Sequence, residues 1–267
     1  MRSGHPDRLR PWRLRSTLAA LALIALSAAS PALAEHSGPI GLGDLLFGPG
    51  QTNEGRASAV PRLARFRADT GDSFVFELSG TGPAYLKYDD SGEVWALNPT
   101  PGPRGDVIYK NDVGEPMLRT TRMGGLTIFT RDRPSGIAAA IDGGASDLHN
   151  LLVTGPFALF QALVRASTHA SQAAGHKVPF EALDTSPGSE PLFADAASLV
   201  VQAFVRVDRK GGEGHAALQR CGKVAFLNGR PPGARLVGQE LRITVTPDLG
   251  FAGRPSSQRI SQVLFRR

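Results

Sequence analysis

The order of apolar and polar residues divides the chain into a strand-rich first part and a mixed second part. Between Arg62 and about Ala140, short apolar runs alternate with turn-forming residues. Phe74, Phe76 and Leu78 recur at every second position, which is typical of a half-buried strand. Five or six such runs, separated by turns such as Asp89–Gly92, predict an antiparallel β-meander.

Helical spacing begins after residue 146. Pro156 suits the first position of a helix, and Gly175 suits its end, so we expect a helix of about 19 residues near 156–174. Four apolar residues recur at helical spacing within it and form a stripe that we expect to cover the sheet: Phe157, Phe160, Leu163 and Val164.

The last third of the chain carries further strands and a closing helix. The stretch Leu199–Val207 fits helical spacing, but its four valines favour a strand, and both interpretations stay open. Clean alternation over Glu240–Thr246 predicts a strand, and Pro255 with Ser256 opens a closing helix. The sequence therefore predicts an α+β fold. An antiparallel β-meander packs against one or two helices, with a C-terminal strand group and the closing helix in a single domain over residues 61–267.

The first 34 residues have the pattern of a secretory signal peptide. Five arginines precede the 12-residue apolar stretch Leu18–Ala29, and Ala32-Leu33-Ala34 is a cleavage site of the A-x-A type. We expect cleavage near Ala34 and a periplasmic or secreted chain, with residues 35–60 as a flexible lead-in. No apolar run in the sequence approaches the roughly 18 residues that span a bilayer, so no integral membrane insertion is expected after cleavage.

Loss of the signal peptide changes the charge balance. The full chain carries a formal net charge of +6, but the mature chain has 25 basic and 23 acidic residues, a net charge of about +2. So small an excess does not favour a nucleic-acid partner. The chain contains one cysteine, Cys221, so neither an intramolecular disulfide nor a cysteine-based zinc cluster is expected.

Two aspartates stand in tripeptides that resemble the catalytic loops of aspartic proteases. Asp69 begins Asp-Thr-Gly, and Asp184 begins Asp-Thr-Ser. Such an enzyme needs two carboxyls that share one proton, one acting as base and the other as acid on a water molecule. The strongly apolar strand that should precede the first aspartate is missing, since Arg67 and Ala68 precede Asp69, and Asp184 is followed by a loop-like stretch. Two ordinary turns are the competing interpretation.

The remaining candidate chemistry is basic. Four arginines lie close together on adjacent predicted strands: Arg119, Arg122, Arg131 and Arg133. They suggest a surface for phosphate or carboxylate groups of envelope polymers, although nearby acidic residues also fit a solvated, charge-balanced strand face. The histidines are scattered and form no ligand motif, so neither a metal site nor a cofactor is expected.

Three segments carry a resemblance to a known family: Pro103–Asp112, Leu118–Thr130 and Ala252–Ser257. Together they resemble an exported alphaproteobacterial family that is catalogued as domain of unknown function 4908, over roughly residues 60 to 265. The resemblance implies a location in the Gram-negative envelope and brings with it no catalytic residue.

These observations favour an exported, periplasmic, non-catalytic protein that binds or supports an envelope polymer or envelope protein. The alternative is an aspartic-type hydrolase that uses Asp69 and Asp184.

Overall fold

The computed structural model describes residues 60–80, 82–149, 151 and 155–266. The predicted signal peptide (1–34) and all but the last residue of the predicted lead-in (35–60) lie outside the described residues. The structure is α+β, as expected from the sequence. No helix in the described ranges combines the length and the apolar character needed to cross a membrane.

The first half of the described chain forms an eight-stranded antiparallel barrel. Each strand pairs with the next along the chain, and the last strand returns to pair with the first. The strands are Leu63–Ala68 (β1), Ser73–Glu77 (β2), Ala84–Tyr88 (β3), Val94–Pro101 (β4), Val107–Lys110 (β5), Pro116–Thr120 (β6), Leu126–Ile128 (β7) and Ile137–Gly143 (β8).

Closure of the barrel corrects the expectation of a simple meander. Alternation places one set of side chains inside the barrel, where Phe74, Phe76 and Leu118 are fully buried. The same alternation suits an open sheet equally well, because it does not specify the partner of the first strand. That partner is β8, and outside the barrel wall Arg67 donates a 2.8 Å hydrogen bond to Asp142, 75 residues away.

The second half builds a four-stranded sheet with helices packed on it. Its strands are Phe180–Ala182 (β9), Lys223–Asn228 (β10), Gly233–Val237 (β11) and Glu240–Val245 (β12), and they lie in the order β11-β12-β10-β9. The helices are Pro156–Ala174 (α1), Glu190–Asp208 (α2), Gly212–Leu218 (α3) and Ser257–Phe265 (α4). This half has its own apolar core, separate from that of the barrel.

Helix α1 has the predicted bounds but a different buried face. Its buried residues are Leu159, Leu163, Ala166, Ala170 and Ala174. Phe157, Phe160 and Val164, which the sequence analysis assigns to the buried stripe, are exposed. The prediction that α1 covers the meander is also wrong, because its main contacts are with α2 and β9. The small alanine face permits close approach of α1 to α2.

The ambiguous stretch Leu199–Val207 is helical and forms the second half of α2. Leu199, Val200, Ala203 and Phe204 are all fully buried, and their positions recur at the spacing of a helix face. Burial of that face in the second core outweighs the modest helix penalty of β-branched valine.

Candidate functional site

One end of the barrel meets the start of helix α4 through two carboxylates. Glu93 lies in the turn between β3 and β4, and Asp112 lies in the turn between β5 and β6. Glu93 accepts hydrogen bonds from the backbone nitrogen of Ser257, at 2.9 Å, and from its hydroxyl. Asp112 accepts from the backbone nitrogen of Ser256, also at 2.9 Å, and from its hydroxyl at 2.5 Å. Negative groups at a helix N-terminus interact favourably with the helix dipole.

Glu93 is almost completely buried at this contact, with 1% of its surface exposed. Burial raises the pKa of the Glu93 carboxyl, while the hydrogen bonds from Ser257 and the positive charges of Arg254 and Arg206 oppose the rise. The Glu93 carboxyl is therefore stabilised by its protein partners and not by water, which hardly reaches it.

Arg254 completes the junction from the loop before α4. Its side chain is buried and forms an ion pair with Asp195 of α2 through Nε. Nη2 donates to the backbone oxygen of Val94 at 2.8 Å, and the guanidinium lies over the ring of Phe251 at 5.3 Å. A single arginine thus connects the barrel, α2 and the loop before α4.

Beside this junction lies an open groove of about 640 Å³. Its walls come from the barrel, the end of α2 and helix α4. The lining residues are Glu115, Arg131, Arg206, Lys210, Gln258, Ser261, Gln262, Phe265 and Arg266. Arg206 and Lys210 stand at the C-terminal end of α2, and Arg266 directly follows α4.

The groove has an excess of positive charge. Four of its lining side chains are cationic, and Glu115 is the single acidic one in that set. None of the four cations forms an ion pair with a residue that the structure describes, whereas Arg65, Arg67 and Arg254 each contact a carboxylate. Burial lowers the pKa of Arg206, and the positive charges of Arg131 and Arg209 lower it further, against the opposing effect of Glu93.

Two helix ends explain why cations gather here, since positive side chains are favourable at helix C-termini. Arg206 lies in the last turn of α2 with Lys210 just beyond the helix, and Arg266 directly follows α4. The two ends converge with the loop that carries Arg131, so the cations of separate elements face one space. An anionic group entering that space finds guanidinium donors that match phosphate and carboxylate geometry.

The structure distributes the four predicted arginines over different places. Arg131 lines the groove, while Arg133 in the same loop is exposed and does not line it. Arg119 lies on β6 with its Nε 3.6 Å from Asp106 Oδ2. Arg122 lies in the turn before β7, close to Gly105. Arg131 lies in the loop after β7, so this strand separates the two arginines along the chain.

The residues that join Arg131 are ones that the sequence analysis missed. Arg206 lies in the last turn of α2 and Lys210 two residues beyond its end, so the sequence signal for the pair is its position at a helix C-terminus, where cations are favourable. That signal depends on recognising α2 as a helix. Nothing in the sequence places this helix end beside the barrel.

The two candidate catalytic aspartates lie in loops that belong to different sheets. Asp69 is exposed in the β1–β2 turn, where its backbone nitrogen bonds the oxygen of Ala138. Asp184 is exposed in the loop that follows β9. No described contact joins the two residues, whereas an aspartic dyad needs its carboxyls about 3 Å apart.

Metal-ligating side chains come together away from the groove. Among the described residues, one set of three lies close enough to hold an ion: Glu77, Asp147 and His149. These residues belong to β2 and to the segment after β8, on the outer wall of the barrel. Within the described part of the chain, the groove has one acidic lining residue, Glu115, and it is suited to anions.

Comparison with known proteins identifies one family model, described as "Domain of unknown function (DUF4908)", which matches residues 42–264. The matched range includes the whole barrel, the second sheet and three of the four cations of the groove. No curated protein and no solved structure matches the chain.

Proposed function

The chain belongs to the DUF4908 family of domains of unknown function, and on that premise we propose that it is an exported, non-catalytic protein that binds anionic groups of cell-envelope polymers. The groove beside α4 is the proposed binding site. The observation that carries the proposal is the set of four cations facing one groove without an ion-pair partner among the described residues. Export is inferred from the pattern of residues 1–34, and the envelope location is inferred from the family resemblance.

The chemistry of the groove favours recognition of charge. Arg131 and Arg206 offer planar guanidinium donors, which bind phosphate and carboxylate groups in a bidentate manner. Gln258 and Gln262 add amide groups that suit the hydroxyls of a sugar. A volume of about 640 Å³ lies within the range of small-ligand sites. A phosphorylated or carboxylated sugar unit of a longer polymer therefore fits the groove in size and charge.

Hydrolysis receives less support from the same side chains. Ser261 is the hydroxyl residue of the groove, and it donates to the backbone oxygen of Ser257 at 2.8 Å, within α4. The alternative with Asp69 and Asp184 requires two carboxyls in one cleft, and these residues lie in loops of separate sheets. Any cleavage activity that disappears in both Asp69→Asn and Asp184→Asn would restore that alternative.

The proposal is tested by sedimenting the mature chain, starting at Glu35, with isolated peptidoglycan and outer-membrane fractions. We expect retention on at least one fraction and a decrease in retention as salt is added, because exposed charges are screened. Inorganic phosphate serves as a competitor. Absence of retention on every fraction would overturn the proposal.

A matched pair of variants locates the binding. Arg131→Gln removes a cation that lines the groove, and Arg133→Gln removes one from the same loop outside it. We expect Arg131→Gln to weaken retention and Arg133→Gln to leave it unchanged. Equal losses in the two variants would show attraction to the net charge of the loop and would contradict a specific groove.

A further inference from the structure

A cluster of potential metal ligands lies on the outer wall of the barrel. Glu77 ends β2, and Asp147 and His149 follow β8 in the segment that leads towards α1. Each of the three residues offers one ligand atom, and these atoms all lie within 4.8 Å of one another. The three side chains come from two chain segments that barrel closure brings together.

One distance in the cluster is close to the spacing of two ligand atoms on one ion, and the others are wider. Nε2 of His149 lies 3.2 Å from Oε1 of Glu77 and 4.0 Å from Oδ1 of Asp147. Two ligand atoms bound to a tetrahedral ion at about 2.1 Å stand about 3.4 Å apart. The His149–Glu77 distance already matches that spacing, and the wider distances have to shorten by up to about 1.4 Å for the three atoms to hold one ion.

The His149 ring is held in place by aromatic contacts. It meets Tyr85 edge to face with centroids 5.0 Å apart, and it stacks on Phe251 at 5.7 Å. The backbone nitrogen of His149 also donates to Oδ1 of Asp147 at 2.7 Å. These contacts direct Nε2 towards Glu77. They also reduce the conformational entropy that the His149 side chain loses when an ion binds.

One side-chain oxygen of Glu77 has no hydrogen-bond partner in the described part of the chain. Oε2 is buried and accepts no hydrogen bond from any residue that the structure describes. An unsatisfied buried carboxylate oxygen is costly, because it has lost water and gained no donor. A cation bound to the Glu77 carboxylate offsets the charge that its two oxygens share and favours the close approach of the Asp147 carboxylate.

We propose that Glu77, Asp147 and His149 bind a divalent transition-metal ion, with Zn²⁺ the best match to the ligands. One imidazole nitrogen with two carboxylate oxygens suits Zn²⁺, whereas Ca²⁺ and Mg²⁺ prefer oxygen ligands in larger number. Three protein ligands leave a fourth position for water, on the side where Asp147 is exposed. Through these ligands, the ion links the segment 147–149 to β2.

The site is tested on the untagged mature chain after treatment with a chelator. Titration with Zn²⁺ in a calorimeter gives stoichiometry and affinity, and Co²⁺ reports tetrahedral coordination through its visible absorption. We expect a single ion per chain. We expect His149→Ala and Glu77→Gln each to lower the affinity by at least about tenfold, since changes to the partners of metal ligands alone cost 10–100-fold.

His215 supplies the matched control. Its Nδ1 lies 3.2 Å from Oδ1 of Asp208, the same distance as in the His149–Glu77 pair, but no third ligand joins it among the residues that the structure describes. We expect His215→Ala to bind Zn²⁺ like the unaltered chain. Absence of binding by the unaltered chain, or an equal loss in His215→Ala, would overturn the proposal.

Folding of the variants is followed by thermal unfolding with and without Zn²⁺. We expect Zn²⁺ to raise the Tm of the unaltered chain and not that of Asp147→Asn, whose altered side chain is exposed. An equal rise in both chains would contradict the site. The groove is not involved, so failure of envelope binding leaves this result unaffected.

Discussion

Glu93 and Ser257 are joined by two hydrogen bonds across 164 residues of sequence. The carboxylate accepts from the backbone nitrogen of Ser257 and from its hydroxyl, and all of these groups are buried. The barrel thereby supplies the cap of a helix in the other half of the molecule. Asp112 and Ser256 repeat the arrangement one residue earlier along the helix.

This pair predicts a pH dependence of stability. Burial raises the pKa of Glu93 in the folded state, so between the ordinary and the raised pKa the folded chain binds more protons than the unfolded one. The contribution of Glu93 to stability is then fully present below the ordinary pKa and is lost as pH rises through the raised value. Urea unfolding at a series of pH values should show this loss in the unaltered chain relative to Glu93→Gln. Parallel pH curves for the two chains would contradict it.

Replacement of Arg254 is predicted to lower the free energy of unfolding much more than replacement of an exposed arginine. In Arg254→Ala, Asp195 and the backbone oxygen of Val94 lose a buried donor, and we expect a loss of about 3–5 kcal/mol. The comparison is Arg230→Ala, which breaks an ion pair with Asp248 that is more than half exposed and should cost less than about 1 kcal/mol. Urea denaturation measures both, and similar losses would be inconsistent with the buried junction.

Two phenylalanines test the faces of the helices. Phe204 of α2 is fully buried, whereas Phe160 of α1 is 62% exposed. We expect Phe204→Ala to lower the free energy of unfolding by about 3–5 kcal/mol and Phe160→Ala to change it by no more than about 0.5 kcal/mol. A large loss of stability in Phe160→Ala would contradict the exposed position of Phe160 and support the buried stripe that the sequence predicts for α1.

Gly253 is predicted to be intolerant of a side chain. A Cβ atom there would lie 1.9 Å from the backbone oxygen of Thr246, while at Gly233 it would meet nothing within 4 Å. Gly253→Ala should cost about 1–3 kcal/mol or more, because backbone has to move. Gly233→Ala should change stability by about 0.5 kcal/mol at most. Thermal unfolding of the two variants gives the comparison. A larger loss of stability in Gly253→Ala than in Gly233→Ala would confirm the prediction, and equal losses would contradict it.

Cys221 is predicted to be inert in the folded chain. Burial raises its pKa to about 11, so the reactive thiolate is scarce at neutral pH. A thiol reagent should modify it quickly in denaturant and slowly without denaturant. Rapid modification of the folded chain would mean that the core around Cys221 opens more readily than its burial indicates.

Local features of the sequence predicted local structure well. Alternation at Phe74 and Phe76 identified a strand, and Pro156 with Gly175 marked both ends of α1, because these signals act within one turn or one strand. Closure of the barrel was not predictable in this way, since it depends on the pairing of β1 with β8. The sequence alone did not decide between helix and strand over Leu199–Val207, because that choice depends on which core buries the segment.

The candidate sites depend on the same long-range contacts. Arg131 was among the arginines singled out from the sequence, but its neighbours Arg206 and Lys210 come from a helix end about 75 residues further along the chain. Glu77 and His149 are 72 residues apart, so no ligand spacing marks them. In contrast, Asp112, Arg254 and Ser256 belong to the segments that carry the family resemblance, and all three form the junction.

The pairing of β1 with β8 also has a consequence for the order of folding. Consecutive strands form hairpins between near neighbours, but the join of β1 to β8 brings together residues such as Arg67 and Asp142, 75 positions apart. Closing so long a loop is slow relative to hairpin formation, so we expect it to come late. Until then both outer strands present unpaired backbone groups to other chains, and the risk of aggregation is concentrated in the interval before the barrel closes.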